Sequence, residues 1–315
     1  MKDPETAEKS ETKLEGIFGN KEIKLETLAV PGNNKLLINI HGSYGSISGN
    51  NDKYRKLANS LQTIEASNVT LYESSRKDID VIERSEDEFT TKKRRFEGKT
   101  FKEELEDLRK VIKHCLDNSQ ELFGISAEEL EITLNGNSLG GILALVIAHE
   151  FPQIKNVSTV GTGLKLENTD EALLRTLPEP NELKDEMNKF KGKFLMQYGT
   201  KDDVFSDQSF TELYESIDTS KSLFKFEQVD HTFNHLDGKS SSRPYEQIFR
   251  NIEELLEGRL IGGSTHLTHE DDEQQQEDDH KKTLDGVSKE IKDLGLEDNF
   301  NSSNSEYDET ATENY

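Results

Sequence analysis

The 315-residue sequence has one cysteine, no tryptophan and only six prolines. A single cysteine, Cys115, excludes an internal disulfide framework and a cysteine-rich zinc site. Cys115 falls in an apolar helical pattern, so it is expected to pack as a small buried hydrophobic group. The sequence also lacks any run of about 18 apolar residues, which a transmembrane helix would need. Its first 13 residues lack the apolar region of a signal peptide. These absences predict a soluble, cytoplasmic protein.

Positive charge is also scarce, because 39 Lys and Arg stand against 63 Asp and Glu, for a net charge of −24. Proteins that bind nucleic acid need a basic face to meet phosphates, so this balance argues against nucleic acid as a partner. Hydrophobic residues make up 31% of the chain. That fraction is enough for a buried core, but it indicates that part of the chain does not fold.

The composition divides the chain into three parts. Residues 262–315 hold 16 acidic residues and 4 lysines, a net charge of −12, and such a segment cannot offset its ordering entropy. We therefore expect a disordered acidic tail, in which an apolar stripe at 284–294 predicts one short helix that could dock on a protein partner. Residues 1–13 are also expected to be disordered. The remaining residues, 14–261, have the length of one large domain.

Within residues 14–261, apolar strand-like runs alternate with helical patterns. Such alternation predicts an α/β protein with a mostly parallel sheet covered by helices on both faces. Residues 16–30 could add one or two antiparallel strands ahead of that sheet. The predicted strands are residues 36–40, 68–72, 131–134, 157–160, 194–198 and 222–229. The predicted helices are residues 52–66, 101–123, 141–151, 209–216 and 245–256.

The sharpest local signal is the sequence Gly136-Asn137-Ser138-Leu139-Gly140-Gly141, which follows a predicted strand and opens an apolar helix. A G-x-S-x-G pattern in that context is typical of a nucleophile elbow. The turn is so tight that the residues two positions before and after the serine, Gly136 and Gly140, must lack side chains. Ser138 would then protrude above the sheet, and the amide of Leu139 would face a developing negative oxygen.

With this motif the chain resembles the α/β-hydrolase superfamily, and three further motifs follow in that family's order. His41-Gly42-Ser43-Tyr44 resembles the loop that supplies a second oxyanion amide, which is the N–H of Ser43 or, less favoured, that of Tyr44. The resemblance further implies that Tyr44 and Asn137 contact the substrate.

The other two motifs imply the partners of Ser138. Gly199-Thr200-Lys201-Asp202-Asp203 resembles the turn that carries the triad acid, with Asp202 preferred over Asp203. Val229-Asp230-His231 resembles the turn that carries the triad histidine, with His235 as the competitor of His231. The order Ser138, Asp202, His231 is that of α/β-hydrolases.

The resemblance implies a serine hydrolase that cleaves an ester or thioester of a small molecule through an acyl-enzyme, with no cofactor and no metal. Two alternatives stay open: a carbon–carbon bond hydrolase, and a non-catalytic protein of the same fold that binds a partner through its acidic tail. In this fold a lid usually enters after the strand that follows the nucleophile helix, which here corresponds to residues 164–191. This segment is short, so we expect a small lid or no lid.

Overall fold

The computed structural model describes residues 8–79, 88–165, 172–236, 243–259 and 263–267. All but one of these residues lie in one compact unit, Met1–His266. The second unit, Leu267–Tyr315, contributes only Leu267 to the described residues, so most of the predicted tail and its helix at 284–294 lie outside them.

Nine described strands form a single sheet in the order β1-β2-β4-β3-β5-β6-β7-β8-β9. Neighbours from β4 through β3 to β8 run parallel, while β1 pairs antiparallel with β2 and β2 with β4. The mostly parallel sheet and the antiparallel strands ahead of it are therefore confirmed. The strands are β1 Glu8–Glu15, β2 Glu22–Ala29, β3 Lys35–Ile40, β4 Asn68–Glu73, β5 Glu131–Asn137, β6 Ile154–Val160, β7 Lys193–Gly199, β8 Lys221–Phe226 and β9 Gly263–Leu267.

Helices cover both faces of this sheet. The described helices are α1 Lys53–Thr63, α2 Glu88–Arg95, α3 Phe101–Asp117, α4 Ser119–Phe123, α5 Leu139–Ile147, α6 Ala172–Arg175, α7 Pro180–Met187, α8 Asp207–Ser216 and α9 Arg243–Leu256. Helices α1 and α9 pack on each other and on one face, whereas α5 contacts β3, β5 and β6 and carries α3 and α7 beside it. Every residue of α5 is buried, which explains why its sequence is almost wholly apolar.

Two short segments differ from the expectation of disorder. Residues 8–13 belong to β1, and residues 263–267 form β9 at the opposite edge of the sheet. Strand β1 carries few apolar residues, but every one of its residues pairs with β2, and Lys13 forms an ion pair with Glu22 at 3.0 Å. An edge strand needs only one buried neighbour, so composition alone is a poor guide to it.

The described part of the interval between β6 and β7 holds α6 and α7. Leu173 of α6 is buried, and so are Leu183 and Met187 of α7, which packs against α5. Helix α7 therefore belongs to the layer of helices beside α5, as a crossover helix between β6 and β7 does.

Deep in the fold, Lys99 is fully buried between two carboxylates. Its ammonium lies 2.5 Å from the carboxylate of Glu104 and 2.8 Å from that of Asp107, and it donates to the carbonyl of Ser75 at 2.6 Å. Asp107 also accepts the N–H groups of Ser75 and Ile17. Burial is the largest single effect and would raise the pKa of Glu104, but the charge and hydrogen-bond interactions of this carboxylate, led by those with Lys99, together outweigh burial and lower the pKa. The cluster thus joins α3 to the segment after β4 and to the turn after β1.

Replacing Lys99 with methionine is expected to lower the free energy of unfolding by about 3–5 kcal/mol, because Glu104 and Asp107 would stay buried without their cation. Lys77→Met is the control, since Lys77 pairs with Glu97 at the exposed surface and its loss should cost less than about 1 kcal/mol. Urea denaturation of both variants measures the difference. Equal stabilities would contradict a structural role for Lys99.

Cys115 lies on the buried face of α3, as the sequence predicts, and burial raises the pKa of its thiol to about 12. The reactive thiolate is therefore scarce near neutral pH. We expect iodoacetamide at pH 8 to modify Cys115 only after unfolding, as measured by intact mass. Rapid modification of the folded protein would contradict this burial.

No described helix is both long enough and apolar enough to cross a membrane.

Candidate active site

Ser138 sits at the turn between β5 and α5, at the carboxyl edge of the parallel strands. Its backbone has φ +51° and ψ −121°, a conformation that costs a non-glycine residue about 1–3 kcal/mol. The turn is closed so tightly that a Cβ on Gly136 would lie 2.3 Å from the carbonyl oxygen of Gly140. This strained turn lifts the serine side chain out of the sheet, as a nucleophile elbow requires.

His231 and Asp202 form a hydrogen-bonded line with Ser138. The Ser138 hydroxyl lies 3.1 Å from Nε2 of His231, and Nδ1 of His231 lies 2.7 Å from Oδ2 of Asp202. A carboxylate only accepts, so Nδ1 carries the hydrogen and Nε2 is free to accept from the serine. The three side chains therefore stand in the arrangement in which a histidine can take the serine proton.

The carboxylate of Asp202 is held by the backbone of its own turn. Its Oδ1 accepts the N–H groups of Val204 and Phe205 at 2.9 and 2.8 Å, and its side chain is buried. Asp203, the alternative, is exposed. The structure thus brings Asp202, and not its neighbour, to His231.

The loop that carries His231 is braced from both ends. The Asp230 carboxylate accepts the N–H of Asn234 at 2.9 Å, and the hydroxyl of Tyr245 on α9 donates to the carbonyl of Thr232 at 2.8 Å. Lys53 on α1 donates in turn to Tyr245 at 3.1 Å. The competing histidine, His235, pairs through its backbone with Val229 instead, at the foot of the loop. Sequence reasoning missed Lys53 and Tyr245, because neither belongs to a motif.

The His-Gly loop, residues 41–46, passes directly beside the serine. A Cβ on Gly42 would lie 3.2 Å from Cβ of Ser138. Within the part of the chain that the structure describes, neither the N–H of Ser43 nor that of Leu139 donates to a protein acceptor. Backbone donors are almost always paired in proteins, so two free amides flanking a serine are available to an oxygen of a ligand.

The side chains of Asn137 and Tyr44, the two predicted substrate contacts, make contacts with other residues of the protein. The Asn137 amide nitrogen donates to the carbonyl of Ile40 at 3.3 Å and lies 3.4 Å from the side-chain oxygen of Asn39. Tyr44 is buried with φ +57°, and its ring makes edge contacts with Phe96 and Phe89. Among the described residues, no group of three or more His, Cys, Asp or Glu side chains is placed to hold a metal ion.

Comparisons with known proteins bear on the fold. No family model matches the sequence, and no curated protein matches it. Dienelactone hydrolase from Anabaena variabilis is 18% identical, with a TM-score of 0.52 over 80% of this chain and 99% of that chain. Est1E from Butyrivibrio proteoclasticus is 14% identical, with a TM-score of 0.54 over 80% of this chain and 98% of its own.

A cold-adapted esterase from an Arctic intertidal metagenomic library is 15% identical, with a TM-score of 0.57 over 81% of this chain and 95% of that chain. At these identities the likeness shows the fold alone. The chain has the α/β-hydrolase fold that its motifs predict.

Proposed function

We propose that this chain, with its α/β-hydrolase fold, is a serine hydrolase that cleaves an ester or thioester of a small molecule. Ser138 is the nucleophile, His231 the general base and Asp202 the acid that orients it. The amides of Ser43 and Leu139 form the oxyanion hole. No cofactor enters this scheme.

The observation that carries the proposal is the hydrogen-bonded line from Ser138 through His231 to Asp202. At Ser138 this line of hydrogen bonds coincides with a strained backbone and with two amides that donate to no acceptor among the described residues. A fold alone never proves an activity, since one fold hosts many functions. Here the individual side chains supply each element that acyl transfer needs.

In the first half of the reaction, the oxygen of Ser138 attacks the carbonyl carbon of the substrate while His231 Nε2 takes the serine proton. Asp202 keeps the imidazole in the required tautomer and stabilises its charged form. The substrate oxygen becomes negative and accepts the N–H groups of Ser43 and Leu139. When the carbon–oxygen or carbon–sulfur bond breaks, His231 returns the proton to the leaving group.

In the second half, water replaces the leaving group. His231 removes a proton from the water as it attacks the acyl carbon, and it then gives that proton to the oxygen of Ser138 as the enzyme is released. The net change is one substrate bond cleaved by one water molecule. The nucleophile, the base, the acid and the oxyanion donors of this scheme are all side chains or backbone amides of this chain.

Two observations support a small ester or thioester as the substrate class. Helix α7, between β6 and β7, packs against α5, and its Leu183 and Met187 are buried. Structural neighbours include a protein described as a cold-adapted esterase and one described as a dienelactone hydrolase. Both observations favour a small substrate and an active site without a large helical lid. The carbon–carbon bond hydrolases carry such a lid, so that alternative is disfavoured.

Pre-steady-state hydrolysis of p-nitrophenyl acetate tests the proposal. We expect a burst of nitrophenolate equal to the enzyme concentration, followed by slower turnover as water releases the acetyl group. Acetyl thiocholine, followed by thiol release, tests the thioester branch in the same way. A folded enzyme that gives neither a burst nor turnover with any short-chain acyl substrate would favour a non-catalytic protein that binds a partner through residues 262–315.

A further inference from the structure

The amide of Leu139 belongs to a peptide group whose other end is held by a buried side chain. The carbonyl of Ser138 and the N–H of Leu139 share one planar peptide, so they point in opposite directions. Thr162, which follows β6, donates its hydroxyl to that carbonyl at 2.8 Å. Fixing the carbonyl therefore fixes the direction of the N–H on the opposite side.

The surroundings of Thr162 are built around this bond. Thr162 is fully buried, and a Cβ on Gly141 would lie 2.1 Å from its hydroxyl oxygen. Any side chain at position 141 would push the hydroxyl away from the carbonyl of Ser138. The N–H of Gly141 donates to the same carbonyl at 3.0 Å, so two hydrogen bonds fix the orientation of the Ser138 carbonyl.

The amide of Ser43 is held in the same way by His41. The carbonyl of Gly42 shares a planar peptide with the N–H of Ser43, and His41 Nδ1 lies 2.8 Å from that carbonyl oxygen. A carbonyl only accepts, so Nδ1 carries the hydrogen. The N–H of Gly45 donates to the same oxygen at 3.0 Å. This second peptide is thus also held by one buried side chain and one backbone amide.

The tautomer of His41 is determined by its other ring nitrogen. The N–H of Ser74 donates to Nε2 at 3.3 Å, which requires that nitrogen to be unprotonated. Burial lowers the pKa of His41, and this effect outweighs the nearby Glu104 carboxylate. The ring therefore stays neutral with its hydrogen on Nδ1, directed at Gly42.

The geometry points to Thr162 and His41 as positioning residues, each of which aims one oxyanion amide by binding the carbonyl of the same peptide. Neither side chain would touch the substrate. The inference rests on the proposed function, because an oxyanion hole matters only if Ser138 attacks a carbonyl. Losing one oxyanion donor outright costs about 10²–10³ in rate, so a misdirected donor should cost a substantial part of that.

Thr162→Val and Thr162→Ser form a matched pair that tests the role of the hydroxyl. Valine keeps the branched shape without the donor, and serine keeps the donor without the methyl group. We expect Thr162→Val to lower kcat for p-nitrophenyl acetate by about 10-fold or more with KM within about two-fold, and Thr162→Ser to stay within about three-fold of wild type. Equal losses in both variants, or wild-type kcat in the valine variant, would overturn the role.

A boronic acid inhibitor separates positioning from a general loss of structure. Its tetrahedral adduct on Ser138 places an oxygen in the hole, so its affinity should fall by the same factor as kcat/KM. The pH profile of kcat/KM should not move, because Thr162 bonds to the backbone of Ser138 and not to His231. A shifted profile with unchanged inhibitor affinity would contradict the inference.

His41 provides an independent pair if Thr162→Val does not fold. His41→Phe removes the Nδ1 donor, whereas His41→Asn keeps an N–H near its position. We expect His41→Phe to lower kcat with little change in KM, as Thr162→Val does. His41→Asn should recover part of the lost kcat. A wild-type enzyme without turnover or labelling at Ser138 would refute the proposed function together with this inference. An active wild type with unaffected Thr162→Val and His41→Phe variants would refute the positioning roles alone.

Discussion

Replacing Ser138 with alanine is expected to lower kcat/KM for p-nitrophenyl acetate by at least about 10⁴-fold. The variant keeps both oxyanion amides, but it has no atom that can form an acyl-enzyme. Any residual rate would come from water attacking the carbonyl within the preserved hole. The burst of nitrophenolate should therefore vanish completely, while the far-ultraviolet circular dichroism and the unfolding midpoint in urea stay close to those of wild type.

A serine outside the site provides the control for this substitution. Ser126 lies just before β5, at the opposite end of that strand from Ser138, and its hydroxyl donates to the carboxylate of Glu129 at 3.0 Å. Ser126→Ala should leave the rate and the burst unaltered. Wild-type turnover in Ser138→Ala would refute the assignment of the nucleophile.

Asp202→Asn is expected to lower kcat by about 10⁴-fold with little change in structure. The asparagine can still accept the N–H groups of Val204 and Phe205 through its oxygen, which would turn its amide nitrogen towards His231. That nitrogen is a donor, so it favours the tautomer in which Nε2 carries the hydrogen. His231 would then be unable to accept the proton of Ser138.

Asp203→Asn is the matched control, because it changes an adjacent aspartate in the same way. Asp203 is exposed, so its substitution should alter kcat by less than about three-fold. Steady-state kinetics at several pH values measures both variants. Similar losses in the two, or the larger loss in Asp203→Asn, would show that the acid is not the residue that the hydrogen bonds indicate.

Sequence reasoning succeeded where local patterns carry physical constraints. A parallel strand that is buried on both faces is rich in apolar residues, so β3 and β7 could be recognised from their residues alone. The elbow could be recognised because its turn requires glycine two positions before and after the serine, at Gly136 and Gly140. The resemblance of its motifs to those of α/β-hydrolases also pointed to Ser138, His231 and, ahead of Asp203, Asp202, and the structure places His231 within hydrogen-bond distance of the other two.

Other features depend on contacts between distant segments and leave no local signal. Strand β1 is rich in charge and is held in place by pairing with β2, so its composition wrongly predicted disorder for residues 8–13. Thr162 lies 24 positions after Ser138 and meets it only because β5 and β6 are neighbours in the sheet. The effect of His41 on the amide of Ser43 acts through the peptide between Gly42 and Ser43, which no sequence pattern reveals. Choosing between Asp202 and Asp203 needed the backbone of the turn.

Labelling with a fluorophosphonate probe, followed by peptide mapping, tests the central claim that Ser138 is an activated nucleophile. Wild type should take up one probe per chain, attached to Ser138, and the label should be absent from Ser138→Ala and from His231→Ala. The second variant matters because a serine without its base should not react at a useful rate. Folded wild type that stays unlabelled, or that carries the probe on another serine, would contradict the account.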